Sequence, residues 1–194
     1  MARPRQFDSD EALAKAMQVF WQNGYCATSL DDLEAKMGLK RQSIYGAFGD
    51  KRSLFLKALK FYREQVLAFI REQLTGSSSP KQAIYKTVHR LAQGGLIDGE
   101  KCGCFFANTA IELADHDSDV AAEIKYMFER LEHYFTEVIE RGQQCGEISK
   151  RYSSQLLAKF IMNAINGLRI LDKTQPSEEE IEGLLNVTLS ILDS

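Results

Sequence analysis

The scarcity of proline limits what this chain can fold into more than any other feature. Proline occurs only at Pro4, Pro80 and Pro176 in 194 residues, each time beside a turn or cap signal. It breaks helices in their interior, so the long intervals without it leave room for long helices. Those intervals lack the strict alternation of a half-buried strand and carry apolar residues at i, i+3, i+4 spacing instead. The expected fold is therefore all-α, with about nine helices and enough chain for one or two buried cores.

Within that frame the most informative stretch runs from Thr28 to Lys51, TSLDDLEAKMGLKRQSIYGAFGDK. Thr28 and Ser29 each have a carboxylate three residues on, Asp31 and Asp32, close to the capping box that starts helices. Leu30 and Leu33 share a face of a short helix, and Gly38 is suited to the left-handed conformation that ends one. From Lys40 to Phe48 a second short helix turns Ile44, Ala47 and Phe48 to one side and Arg41, Gln42, Ser43 and Tyr45 elsewhere. Two short helices joined by a glycine turn, the second opening with basic and amide groups, describe a helix-turn-helix. The second helix of such a motif enters the DNA major groove.

Net charge tests that reading. At −3 overall the chain is a poor candidate for binding nucleic acid, but residues 1–60 carry +3 and residues 61–194 carry −6. A basic head on an acidic body suits a protein that meets phosphates at one end. Affinity then comes from phosphate contacts and sequence choice from base edges. Arg41 can fork onto guanine and Gln42 onto adenine, with Lys40 and Ser43 beside them. Thr28, Ser29 and Tyr45 offer hydroxyls to phosphate, and Lys51 adds a charge at a helix start. Arg3 and Arg5 could extend the footprint as an arm.

Thr28-Ser29-Leu30, Gly38-Leu39, Ile44-Tyr45, Phe48, and Lys51 with Leu54-Phe55 resemble, in order and spacing, the DNA-binding signature of TetR-type (AcrR/TetR-like) transcriptional regulators. The likeness covers roughly residues 8–60 by position. Gly46 and Ala47 depart from it, since relatives often carry larger side chains there. The resemblance implies a homodimeric repressor, an N-terminal three-helix DNA-binding domain at 1–50, and a helical effector-binding and dimerisation domain at 51–194. It also implies a ligand cavity in the body; Tyr62, Phe69, Tyr85, His89, Phe105, Phe106 and Asn108 are the candidate lining. A small-molecule effector would release the protein from a palindromic operator.

The helical pattern fills out the rest. A first helix from near Asp8 to Asn23 carries Leu13, Ala16, Met17, Phe20 and Trp21 at helical spacing. A long helix from Lys51 to about Leu74 is apolar on more than one face and reads as a bridge between head and body. The last two helices, one through Leu171 and one capped by Ser177, are apolar over more than half their circumference. Such surface asks for a partner, and a two-fold dimer through Phe160, Ile161, Ala164, Leu168, Ile181, Leu184, Leu185, Thr188 and Ile191 is the expectation.

Four cysteines are too few for a disulfide framework. Cys102 and Cys104 suggest an alternative trigger, a thiol switch for oxidants, electrophiles or copper, with Lys101 as an activating neighbour. His116 among Asp115, Asp117 and Asp119 reads as a capping loop, not a metal site. No cofactor is expected and no enzyme motif is found: GxSxG, a phosphate-binding glycine loop, HExxH and a dinucleotide fingerprint are all missing. With neither a membrane-length apolar run nor a signal-peptide core, a cytoplasmic location is expected.

Overall fold

A computed structural model describes residues 7–92 and 102–193, without the side chain at 172. Arg3, Arg5 and Lys101 lie outside the described residues. Among those described there are nine α-helices and no strand. They are α1 (Ser9–Asn23), α2 (Leu30–Met37), α3 (Arg41–Phe48), α4 (Lys51–Thr75), α5 (Pro80–Ala92), α6 (Phe105–Leu113), α7 (Ser118–Gln144), α8 (Ser154–Leu171) and α9 (Glu178–Leu189). No described helix is long and apolar enough to cross a membrane.

The chain forms two compact units. The first comprises residues 1–65 and 108–124, the second 66–107 and 125–194. Neither follows a single chain segment. The first takes most of α6 and the start of α7 along with the N-terminal helices, and α4 is divided between Gln65 and Val66.

In the first unit, local signals start and stop each helix. The Asp8 carboxylate accepts from Asp10 N at 2.8 Å and caps α1. Ala16, Met17, Phe20 and Trp21 of α1 are buried, as are Leu33, Ile44 and Phe48 of the two short helices. The start of α4 adds Leu54, Phe55, Ala58 and Leu59 to the same core. Phe20 meets Phe55 edge to face at 5.1 Å and Trp21 meets Tyr62 at 5.2 Å, the geometry ring quadrupoles favour.

The second unit buries Ile70 and Leu74 of α4, Ala83, Ile84 and Val88 of α5, and Phe105 and Phe106 of α6. Phe135 and Ile139 of α7, Leu157 and Ile161 of α8, and Leu185 and Leu189 of α9 complete it. Its most unusual buried group is Arg169, 8% exposed, which donates to Leu91 O at 3.2 Å and Gly103 O at 2.6 Å.

Candidate nucleic-acid interface

The helix-turn-helix is set by a few hydrogen bonds. Ser29 is the N-cap of α2, its hydroxyl accepting from Asp32 N at 3.1 Å while Asp32 Oδ2 accepts from Ser29 N at 2.8 Å. The Ser29 hydroxyl and N–H hold the Asp32 carboxyl below the usual carboxylate range. Of the two candidate capping pairs in the sequence, Ser29 and Asp32 form the box; Asp31 binds Arg41 instead. Gly38 closes α2 at φ 68° and ψ 24°, where a side chain would be strained. At the far end of α3, Lys57 Nζ donates to Phe48 O at 2.9 Å, answering a terminal carbonyl.

With Ile44 and Phe48 turned into the core, α3 leaves Arg41, Gln42, Ser43 and Tyr45 exposed, and Lys40 before it is exposed as well. Arg41 is held at the helix start. Its N–H donates to Glu34 Oε1 at 2.6 Å and its guanidinium to Asp31 Oδ1 at 2.8 Å, with the side chain 50% exposed. Both carboxylates belong to α2, so the base-reading candidate waits in a defined pose on the outer surface. Lys51 stands at the start of α4 with Nζ 4.6 Å from the Tyr25 ring centre. Thr28 is placed differently from its neighbours: 2% exposed, it donates to Gly24 O at 2.6 Å, while Ser29 is the exposed member of the pair. A buried, already donated hydroxyl tightens the turn ahead of α2 and leaves outward contact to Ser29.

Sequence reasoning missed Glu112. Near the end of α6, its carboxylate accepts from Tyr25 N at 2.9 Å and Cys26 N at 2.7 Å, bracing the loop between α1 and α2. Burial raises the carboxyl pKa, but the two N–H donors and the Cys26 thiol outweigh it and hold the group below its ordinary value. The loop is shaped for this approach. Gly24 sits at φ 80°, and a Cβ there would lie 3.0 Å from Glu112 Oε2. No spacing rule could link residues 87 positions apart. A second brace joins Arg52 to Asp117 at 2.7 and 2.8 Å and to Asp119 at 2.7 Å. Asp117 also caps α7, accepting from Asp119 N and Val120 N, and no metal-binding group occurs among the described residues.

The candidate effector residues divide between the units. Tyr62 and Asn108 fall in the first; Phe69, Tyr85, His89, Phe105 and Phe106 fall in the second. Phe105 and Phe106 are buried, whereas Tyr85 and His89 stack half-buried at 6.4 Å, His89 facing Glu182 at 3.4 Å. All four cysteines are free thiols. Cys104 retains some exposed surface, yet desolvation pushes its thiol pKa up; the N–H groups of Ala107 and Phe106 and the Arg169 guanidinium pull it down less strongly.

On α8, α9 and the 3-10 turn Ser190–Leu192 that follows, the anticipated interface residues sort by burial. Ile161, Leu168 and Leu185 are buried within the chain. Ala164, Ile181, Thr188 and Ile191 are half-buried, while Phe160 and Leu184 are 44% and 40% exposed. Leu156, Ile170 and Val187, outside the anticipated set, are still more exposed, at 54%, 51% and 73%. Leu156 and Phe160 are four residues apart on one face of α8, and Ile170 lies further along the same side beyond exposed Asn163 and Gly167.

Comparison with known proteins decides the family. Residues 12–58 match the family model "Bacterial regulatory proteins, tetR family", and residues 82–186 match "Tetracyclin repressor-like, C-terminal domain". This chain belongs to the TetR family. It is 32% identical over 195 residues to the HTH-type transcriptional regulator YezE of Bacillus subtilis (strain 168), covering 100% of both chains. It is 31% identical to the HTH-type transcriptional repressor ComR of Escherichia coli (strain K12), over 97% of this chain and 90% of that one. The fold superposes with a TM-score of 0.86 on a cysteine mutant of the TetR-family regulator CifR in complex with 26-bp operator DNA, at 27% identity, covering 98% and 100% of the two chains. This TetR-family protein is a DNA-binding transcriptional regulator and not an enzyme. Dimers and small-molecule effectors are typical of its family.

Proposed function

We propose that this regulator is a repressor that binds a palindromic operator as a homodimer, through α3 of each copy, and leaves it when a small effector binds the body. One observation carries the reading: α3 buries Ile44 and Phe48 and keeps Arg41 and Gln42 in solvent, Arg41 pre-positioned by Asp31 and Glu34. Arg41 and Gln42 read bases, while Lys40, Ser29, Tyr45 and Lys51 meet the backbone. Repression is the role named for ComR. A partner copy covers Leu156, Phe160 and Ile170 of α8 together with Leu184 and Val187 of α9. Two-fold symmetry then sets the recognition helices roughly 34–36 Å apart, or a multiple of that. A regulator of this kind works in the cytoplasm, where its operator is.

The DNA-binding domain at 1–50 ends just before α4 and the effector-binding domain at 51–194 begins with it; the compact units divide later, within α4 between Gln65 and Val66, and α6 contributes residues to both. Glu112, near the α6 C-terminus, gives an effector a physical route to the loop before α2. An effector acts only to the extent that it prefers the arrangement that cannot bind DNA. Sequencing DNA retained by the protein from genomic fragments tests the central reading. A recurring inverted repeat is expected, and retention without preference over random DNA would refute it.

A second trigger has a specific observation in its favour. Cys104 stands immediately before α6, where the Arg169 guanidinium that also holds Gly103 O offsets part, but not all, of the rise that desolvation imposes on its thiol pKa. Oxidation or alkylation there would disturb the N-terminus of the helix that carries Glu112. Replacing Cys102 and Cys104 by Ser separates the triggers: release by diamide or copper that persists in this variant removes the thiol reading.

A further inference from the structure

Away from the DNA-facing helices, a groove of about 580 Å³ lies between the C-terminal part of α4 and α7. Arg71 comes from α4, and Arg130 and Arg141 come from α7. We propose that this groove is a binding site for a multiply charged small anion bearing phosphate or carboxylate groups. It is separate from the aromatic effector candidates and does not depend on them.

Three of the other described arginines are held by carboxylates. Arg41 pairs with Asp31, Arg52 with Asp117 and Asp119, and Arg63 with Glu64 and Glu123. Arg71, Arg130 and Arg141 form no ion pair among the described residues. Carboxylates are not scarce, since the chain holds 27 Asp and Glu against 24 Lys and Arg. Three guanidinium groups on one groove repel each other, an arrangement that an anion relieves.

The two carboxylates that line the groove have direct partners other than the arginines, one of them, His133, being a lining residue too. Glu137 faces His133 at 3.3 Å, and Glu140 accepts from the Ser154 hydroxyl at 3.0 Å. Glu137 also acts on Arg130 at longer range, but the direct partner of that guanidinium is Tyr134, whose hydroxyl accepts from it at 3.2 Å with the ring centre 5.0 Å away. Arg130 and Tyr134 therefore make a fixed wall, and Arg71 and Arg141 keep their planar forks available for bidentate contact with carboxylate or phosphate oxygens. Leu74 and Val138 supply an apolar floor, and the volume lies within the range of small-molecule sites.

The test is calorimetric titration of the full-length protein with pyrophosphate and, separately, with citrate, at a constant ionic strength of about 0.15 M. Saturable binding of either is expected; pyrophosphate alone assigns a phosphate ligand, and citrate alone a carboxylate one. R71A/R141A is expected to weaken that binding at least about tenfold, because it removes two donors of charge-assisted hydrogen bonds. Thr75→Glu keeps every arginine while placing a carboxylate in the groove, and it should weaken binding to a similar degree even if the double variant folds poorly. Operator affinity of the Thr75→Glu protein reports that the fold is intact. Heat that does not saturate, or variants that bind both anions as tightly as the original chain, would overturn the assignment.

Discussion

The outer faces of α3 and α8 make an instructive contrast. Each helix buries one side in its own unit and leaves the other uncovered. On α3 the uncovered side is Arg41, Gln42, Ser43 and Tyr45; on α8 it includes the large apolar Leu156, Phe160 and Ile170. Water solvates the first at little cost, so that face can stand open until a polyanion displaces the water. Leaving the second in water costs free energy in proportion to its area, which a matching apolar surface recovers. In the proposed dimer, one face suits a partner that comes and goes, and the other suits one that stays.

That contrast breaks most visibly if α8 is given the character of α3. Phe160→Arg is expected to convert a dimer into a monomer and to lower operator affinity by about 100-fold or more, because two linked heads bind far more tightly than one. Light scattering coupled to gel filtration, with fluorescence anisotropy on operator DNA, reads both effects. A dimer that survives this change does not use α8 as its seam.

The reciprocal change removes charge from α3. Arg41→Ala is expected to cost about 1–3 kcal/mol on the operator and less on random DNA, so that selectivity falls with affinity. Equal losses on both DNAs make Arg41 a phosphate contact. Since Asp31 and Glu34 hold its guanidinium, Asp31→Asn should give a smaller drop in affinity of the same kind.

Glu112 sharpens the comparison, because it braces the loop ahead of α2 and is not among the residues proposed to contact DNA. Glu112→Gln keeps the size of the side chain and removes its charge, and it is expected to cost about 1–2 kcal/mol of stability, measured by urea unfolding. The pH dependence follows from the sign of the shift. The folded-state pKa lies below the ordinary glutamate value, so the stabilisation is complete at neutral pH and fades only as acid carries the pH down through the lowered value. The stability of the original protein and of the Glu112→Gln variant should therefore run parallel at neutral pH; a difference in slope there would point to another group.

The smallest effect concerns Gly46, where a Cβ would meet nothing within 4 Å. Gly46→Ala is expected to raise stability by about 0.5–1 kcal/mol through helix propensity alone. A fall in operator affinity with that gain would mean that the α3 backbone needs the missing side chain in order to approach DNA.

What could be read from the residues themselves is what short-range physics settles. Capping signals, Gly38 and helical periodicity fixed the helix-turn-helix and the order of nine helices, because a cap or an apolar stripe acts within a turn or two of its own position. The basic opening of α3 was visible for the same reason. Assigning particular apolar residues was harder. Ile161, Leu168 and Leu185 looked as suited to a dimer seam as Phe160 and Leu184, and packing within the chain claimed the first three while leaving Leu156, Ile170 and Val187 outside. Thr28 and Ser29 were equivalent in pattern, and the fold buried one and exposed the other. Glu112, the Asp117–Arg52 brace and the three arginines of the α4–α7 groove depended on residues far apart in the chain meeting in space. Periodicity says which side of a helix faces inward, but the identity of what it meets is decided only when the helices pack.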